Sequence, residues 1–401
     1  MNVVKQIRNF NSGRDPERLA LKYRNMRGDP FVFLRATCHL FYAQLPLEPV
    51  MRKAPAAWSC GDLHLENFGS YKGDNRQVYF DLNDFDEALL APLSWDPVRG
   101  LASMLVGGST LHRDPAVPAE LCRVFLDAYA GALVDGKPRW VERETAQPPV
   151  SDLLQAVRLR NRSAFLDGRT DLVGRRRRIR IDGRKALAAT PAQRAAVERF
   201  FEGFAARQPV PSFYEVLDVA RRIAGNGSLG VDRFIVLVRG KGRPEGNYLL
   251  DLKQALPASP LPRVPLAQPA WDDDAHRVAI VQRRMQAIAM AFLQPVRMGG
   301  KPYVLKALQP SEDRVALSGA NIRHPRARLE SLVAVMGQCL AWAQLRASGR
   351  SGSANADELI DYAQGGKWRR QLMAVARHCA AQVEADWLQF CAAYDAGAFN
   401  P

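Results

Sequence analysis

"AGNGSLGV", residues 224–231, carries G-x-G-x-x-G at Gly225, Gly227 and Gly230. Glycines at this spacing let bare backbone close over phosphate groups, in two settings told apart by the element after the loop. In a dinucleotide-binding turn the loop opens a helix, whose N-terminus faces the pyrophosphate. Here the next residues are "DRFIVLV", β-rich and unlike a helix. The stretch therefore reads as a strand, a Gly-rich loop that includes Ser228, and a second strand. That choice excludes a doubly wound parallel sheet and sets the reading of everything around it.

Downstream, "RGKGRPEG" is a turn into a further strand, "NYLLDLKQA", which carries Lys253. A helix is expected over 273–294, then a strand in "KPYVLKAL", then mostly helix over 326–395, interrupted by "SGRSGSANA". Upstream, "TPAQRAAVERFFEGFAAR" reads as a helix with Thr190 as N-cap and a Pro in its first turn. Residues 97–134 read as two packed helices, and residues 1–58 as helical, ending in "APAAW" ahead of a buried strand.

That strand leads into "CGDLHLENFG", residues 60–69, and eleven residues later comes an acidic cluster, "FDLNDFDEA", residues 80–88. Asp62 and Asn67 have the D-x-x-x-x-N spacing that puts a base and a metal ligand on one rigid loop. A phosphotransferase needs both within a few ångströms of the same phosphate. A second acidic loop then has to supply the main Mg²⁺ ligand, because Mg²⁺ takes carboxylate and phosphate oxygens. Asp84 comes 17 residues after Asn67, enough for a strand out and back. Neither loop has EF-hand spacing. Two other readings stay open at this point: a metal-dependent hydrolase using Asp62, His64, Asp81, Asp84 and Asp86, and simple capped turns.

"GDLHLEN" resembles the G-D-x-H-x-x-N loop of aminoglycoside and choline kinase-like phosphotransferases, and "DFDEALLAPLSWD" resembles their D-F-[DE]-x-A…D element. The resemblance implies ATP and Mg²⁺ as cofactors, Asp62 as catalytic base, Asn67 and Asp84 as metal ligands, and Asp96 as a brace for the catalytic loop. It makes His64 part of that loop, bracing it, and leaves Cys60 where those enzymes usually have His. Gly225, Gly227, Ser228 and Gly230 would cover the phosphates and Lys253 would grip them, with Arg35, in "DPFVFLRA", a further phosphate contact or a bracing salt bridge. The helix after Lys253 has no Glu to pair with it, so Gln282 or Gln286 would serve. "GDLHLENFG…FDLNDFDEA…WDPVRGLA" is similar to the bacterial domain-of-unknown-function 2252 family.

Only about 58 residues precede the catalytic loop, too few for a nucleotide lobe of several strands and a helix. The parts stand in rotated order, so the expected fold is α+β, protein-kinase-like, two-lobed and circularly permuted, with a small antiparallel sheet lobe and a larger helical one. Permutation is tolerable because a site depends on spatial constellation. The expected division is a helical segment over 1–58, a catalytic lobe with an Arg-rich insertion over 59–210, a β-rich nucleotide lobe over 211–310, and completing helices over 311–401.

The chain has 401 residues, 47% hydrophobic and 24% charged, which suits a globular protein. The start lacks an apolar signal-peptide core, and no apolar run is long enough to cross a bilayer. Six Cys with no C-x-x-C spacing argue against structural zinc and for reduced thiols in the cytoplasm. The net charge of +15 comes from 45 Arg and 11 Lys, spread along the chain apart from "GRRRRIRIDGRK", residues 174–185. That run reads as a solvated ribbon, with a nucleic acid or other polyanion contact as the alternative. A phosphotransferase thus has two rivals: a nucleotide-binding pseudokinase that regulates a partner, and an Arg-rich polyanion-binding protein. The acceptor, small molecule or protein, is not legible.

Overall fold

The computed structural model describes residues 1–112, 114–315 and 325–399. Twelve strands occur among them in chain order: β1 (Ala56–Ser59), β2 (Phe68–Lys72), β3 (Val78–Leu82), β4 (Leu89–Pro92), β5 (Thr170–Val173), β6 (Arg176–Ile179), β7 (Ala186–Ala188), β8 (Val216–Arg222), β9 (Arg233–Val238), β10 (Tyr248–Gln254), β11 (Gln294–Met298) and β12 (Lys301–Ala307). With the helices they make an α+β protein. The main sheet is antiparallel, in the order β11-β12-β10-β9-β8-β7.

Alternation along the strands splits that sheet into two different faces. Phe234, Val236, Leu250, Leu252 and Leu305 lie on one, covered by Val197, Phe201 and Phe204 of the helix Pro191–Ala205. Thr190 caps that helix in a capping box with Gln193, as "TPAQ" leads one to expect. The opposite face begins apolar, with Ile235, Leu237 and Leu249, and turns charged toward one end, where Arg222, Arg233, Asp251 and Lys253 sit. Because β7 and the helix Pro191–Ala205 belong to this lobe, it begins upstream of residue 211.

The larger body is helical. Val117–Asp135 packs on Arg326–Ala347, and Trp95–Val106 packs on the long C-terminal helix Trp368–Asp395, around Trp58, Trp95, Phe125 and Tyr129. The helix expected over 273–294 is shorter, Asp274–Met285. The chain is peeled away after Met285 because Asp81 accepts from the Ala287 amide at 3.0 Å and the Tyr71 hydroxyl donates to the Ile288 carbonyl at 2.8 Å. The freed residues run irregularly to β11, which starts at Gln294.

Two small ladders position the acidic loops. β1 pairs with β4 and β2 with β3, both antiparallel. Residues 60–67 connect β1 to β2 and residues 83–88 connect β3 to β4, so the pairing places the two loops side by side.

Candidate active site

Asp96, in the first turn of its helix, is fully buried. It accepts from Ser59 Oγ at 2.6 Å, from the Cys60 amide at 2.9 Å and from the Gly61 amide at 3.1 Å. Gly61 has φ +79°, and a Cβ there would collide with the Glu87 carbonyl, so only glycine lets the loops touch. Asn67 ties the loops together with both ends of its amide. Nδ2 donates to the carbonyls of Asp62 at 3.1 Å and Asp84 at 3.2 Å, and Oδ1 accepts from the Asp84 amide at 2.7 Å. Asn67 is thus a clamp, and its Oδ1 is turned to backbone rather than to a metal. His64 Nδ1 accepts from the Glu66 amide at 3.1 Å, and burial holds its pKa well below the usual value, leaving a neutral bracing ring.

Asp62 Oδ1 accepts from Arg99 Nε at 2.9 Å and Nη2 at 2.6 Å. Arg99 is fully buried, whereas the Asp62 side chain keeps 19% exposure to the cleft. Burial raises the Asp62 pKa, partly offset by Arg99. Asp81, the alternative metal ligand, is turned away and buried against Arg346 at 2.7 Å.

These loops form one wall of a cleft of about 310 Å³. Asp62, His64, Asp84, Asp86 and Glu87 line that wall, Gly225, Gly227, Ser228 and Lys253 line the other, and Arg314 lines the cleft from the segment bridged to Gly69 of β2. The Gly-rich loop runs from β8 through a single 3₁₀ turn, Asn226–Ser228, to β9, and opens no α-helix. It is pinned by the N-terminal segment. Arg14 Nη1 and Lys22 Nζ both donate to the Gly227 carbonyl, at 3.1 and 3.0 Å, and a Cβ on Gly227 would meet the Arg35 carbonyl at 2.9 Å. Gly230, at φ +88°, lies outside the cleft against Arg14 and Leu19. The Arg35 side chain lines the cleft and pairs with Glu66.

Lys253 does not reach a glutamine of the helix Asp274–Met285. Its ammonium pairs with Asp86, in the acidic loop itself. Gln282 donates to Gln286 at 3.1 Å, and Gln286 donates to the Leu82 carbonyl at 2.7 Å, so both are committed elsewhere. The helix instead contributes Arg277, which donates to the carbonyls of Asp86, Ala88 and Leu256 and holds the acidic loop in place.

Sequence reasoning singled out neither Arg314 nor Lys306 nor Glu87. Arg314 sits in the connection after β12, and Lys306 beside Asp251 in the β10–β12 register. Neither has a carboxylate within ion-pair distance among the described residues. Burial lowers the Lys306 pKa to about 8 and lowers that of Arg314. Asp84 has the reverse balance: burial pushes its pKa up, but Lys253, Arg314 and Lys306 together carry it well below the carboxylate range. A lysine alternating with leucine in "YVLKAL" was the one available signal for Lys306.

Burial holds the Glu87 carboxyl up at about 7, against hydrogen bonds from the Ser259 amide and hydroxyl, with Asp62 and Asp86 adding repulsion. An unfolded chain ionises it at about 4.5. Between those values the folded state binds the proton and the unfolded state does not, so stability falls as pH rises through this window. Glu87→Gln is expected to gain about 1–3 kcal/mol on wild type between pH 5 and pH 8, read from urea melts. A difference that stays constant with pH would refute the assignment.

The Arg-rich run supplies the turn and second strand of the β5–β6 hairpin, and much of its charge is spent internally. Arg177 pairs with Asp167, Arg180 with Asp171, and Arg178 donates to the Leu217 carbonyl.

For a metal, the donor set is hard oxygen. No group of three or more His, Cys, Asp or Glu side chains forms a ready cage among the described residues. Asp84 lines the cleft as a hard-oxygen donor of the kind that would hold Mg²⁺, which is ordinarily bound by one or two carboxylates together with a polyphosphate.

An α+β protein with a charged cleft between a sheet and two acidic loops is the class these observations define. Residues 14–393 match the family described as an uncharacterized protein conserved in bacteria (DUF2252), and the chain belongs to it. No curated protein and no solved structure matches it. No helix among the described residues is long and apolar enough to cross a membrane.

Proposed function

We propose that this protein is a Mg-ATP-dependent phosphotransferase, kinase-like in its parts and circularly permuted in their order. The observation that carries the reading is the shared cleft. Asp62 and Asp84 face Gly225, Gly227 and Lys253 across it, although about 160 residues separate the two sets in sequence. Further support comes from chain order within the main sheet. A Gly-rich loop joins β8 to β9, Lys253 lies on β10, and a helix and two strands come next, which is how a kinase-like lobe presents its lysine to phosphates. The six buried, unpaired thiols suit a reducing cytoplasm.

In this reading the backbone of the Gly-rich loop, Lys253 and Arg314 hold the polyphosphate. Asp84 would hold Mg²⁺, which supplies charge neutralisation at the transferring group. Asp62 accepts the proton of the acceptor hydroxyl. Arg99 fixes the orientation of that carboxylate by taking one oxygen, and burial keeps the other basic.

The test is calorimetry of the full chain with Mg-ATP, then mass spectrometry of protein and cell extract incubated with it. Saturable binding and a phosphorylated product are expected. Absence of nucleotide binding would overturn the reading.

A further inference from the structure

Lys253 and Asp86 are unequal partners in their ion pair. The lysine side chain is 7% exposed and rises from the end of the inner strand β10, whereas the Asp86 carboxylate is 36% exposed and lines the cleft. Asp86 backbone is immobilised, because Arg277 donates to its carbonyl from both terminal nitrogens at 3.1 Å. Its side chain can therefore turn without the loop moving. Asp84 lies two residues away, with its Oδ1 3.4 Å from the Asp86 amide, and Lys253 is the largest of the charges holding Asp84 ionised. One ammonium thus serves two carboxylates of a D-F-D turn, the place where a divalent cation would bind.

We propose, on the nucleotide reading above, that Lys253 is a displaceable counter-ion. Asp86 holds its ammonium in the structure, and a polyphosphate that draws Lys253 away releases Asp86 to join Asp84 as a second metal carboxylate. Three observations favour exchange over a permanent pair. The helix offers Lys253 no alternative partner, since Gln282 and Gln286 are bonded to each other and to backbone. Arg314 lines the cleft and Lys306 lies behind it, both near Asp84, and neither makes an ion pair with Asp86 among the described residues. Lys253 and a divalent cation need the same oxygens, and a divalent cation with phosphate outcompetes a monovalent ammonium for paired carboxylates. Metal and polyphosphate then bind each other's complex more tightly than either binds alone, and the coupling is reciprocal.

The probe is Mn²⁺ alone, tracked by its paramagnetic resonance signal in the absence of any nucleotide. Wild type is expected to bind it weakly. Lys253→Met keeps the side-chain volume, removes the ammonium, and should bind Mn²⁺ about tenfold or more tighter. Adding Asp86→Asn to that variant should abolish the gain. Lys306→Met removes a cation that is close to Asp84 but does not touch Asp86, and should gain no more than about threefold. Equal affinity in wild type and Lys253→Met, an equal gain in Lys306→Met, or a gain that survives Asp86→Asn would each overturn the exchange. Should Lys253→Met fail to fold, Asp86→Asn alone decides: with saturating ADP its Mn²⁺ affinity should drop about tenfold, and an unchanged value refutes the proposal. The Mn²⁺ titrations without nucleotide do not depend on Mg-ATP binding, so their failure is distinct from a failure of the nucleotide reading. The ADP arm is run only once calorimetry shows that wild type binds ADP.

Discussion

Asp62→Asn should keep Mg-ATP affinity and lose phosphoryl transfer by about 10²–10⁴-fold, the usual contribution of a positioned general base. On the proposed reading Lys253, Asp84 and Arg314, which line the same cleft, would bind the ground state, whereas Asp62 would act on the acceptor during transfer. The amide can still offer Oδ1 to Arg99, so the loop keeps its geometry, but the fully buried guanidinium loses its counter-charge. Breaking a buried pair in this way typically costs about 3–5 kcal/mol, so a thermal melt must accompany the assay. A folded Asp62→Asn that turns over ATP at the wild-type rate would refute the base assignment. A wild type that binds Mg-ATP but transfers nothing, with Asp62→Asn indistinguishable from it, would make the protein a nucleotide-binding regulator instead.

Asp84→Asn should abolish tight Mg-ATP binding and leave the fold intact. The fold survives because the Asp84 backbone, not its carboxylate, is what Asn67 holds, through amide and carbonyl both. Its carboxylate makes no ion pair within 4.0 Å among the described residues, while Lys253, Arg314 and Lys306 hold it ionised from a distance. Removing that charge also takes away the carboxylate that Lys253, Arg314 and Lys306 all act on, so nucleotide without metal should bind somewhat better. Calorimetry with and without Mg²⁺ separates the two effects. Equal Mg-ATP affinity in mutant and wild type would sink the assignment and turn attention to Asp86, since Asp81 is consumed by Arg346 and the Ala287 amide.

Much of this protein is written in short stretches. The capping box at Thr190, the alternation of "RFIVLV" and "NYLLDLKQA", and the glycines of 225–230 are local signals, decided within a few residues by capping, side-chain period and backbone freedom. The same holds for Asp62, Asn67 and Asp84 as a set, because their spacing reflects one pair of loops on two adjoining ladders. Which polar group meets which is a different matter. Lys253 and Asp86 are 167 residues apart, and Arg99 comes to Asp62 from a helix whose other face packs in the core. A charge's partner is chosen by desolvation and distance after the chain has folded, and neither is a property of neighbours in sequence. For that reason the helix glutamine expected to hold Lys253 proved to be bonded to backbone, and the Asn67 amide expected to face a metal proved to clamp two loops. The helix that stops at Met285 teaches the same lesson: helical period continues past it, but long-range hydrogen bonds from Tyr71 and Asp81 outcompete the next turn. Secondary structure and the candidate loops came from local pattern, while ion pairing, exposure and the closing of the cleft came from tertiary contacts that only packing creates.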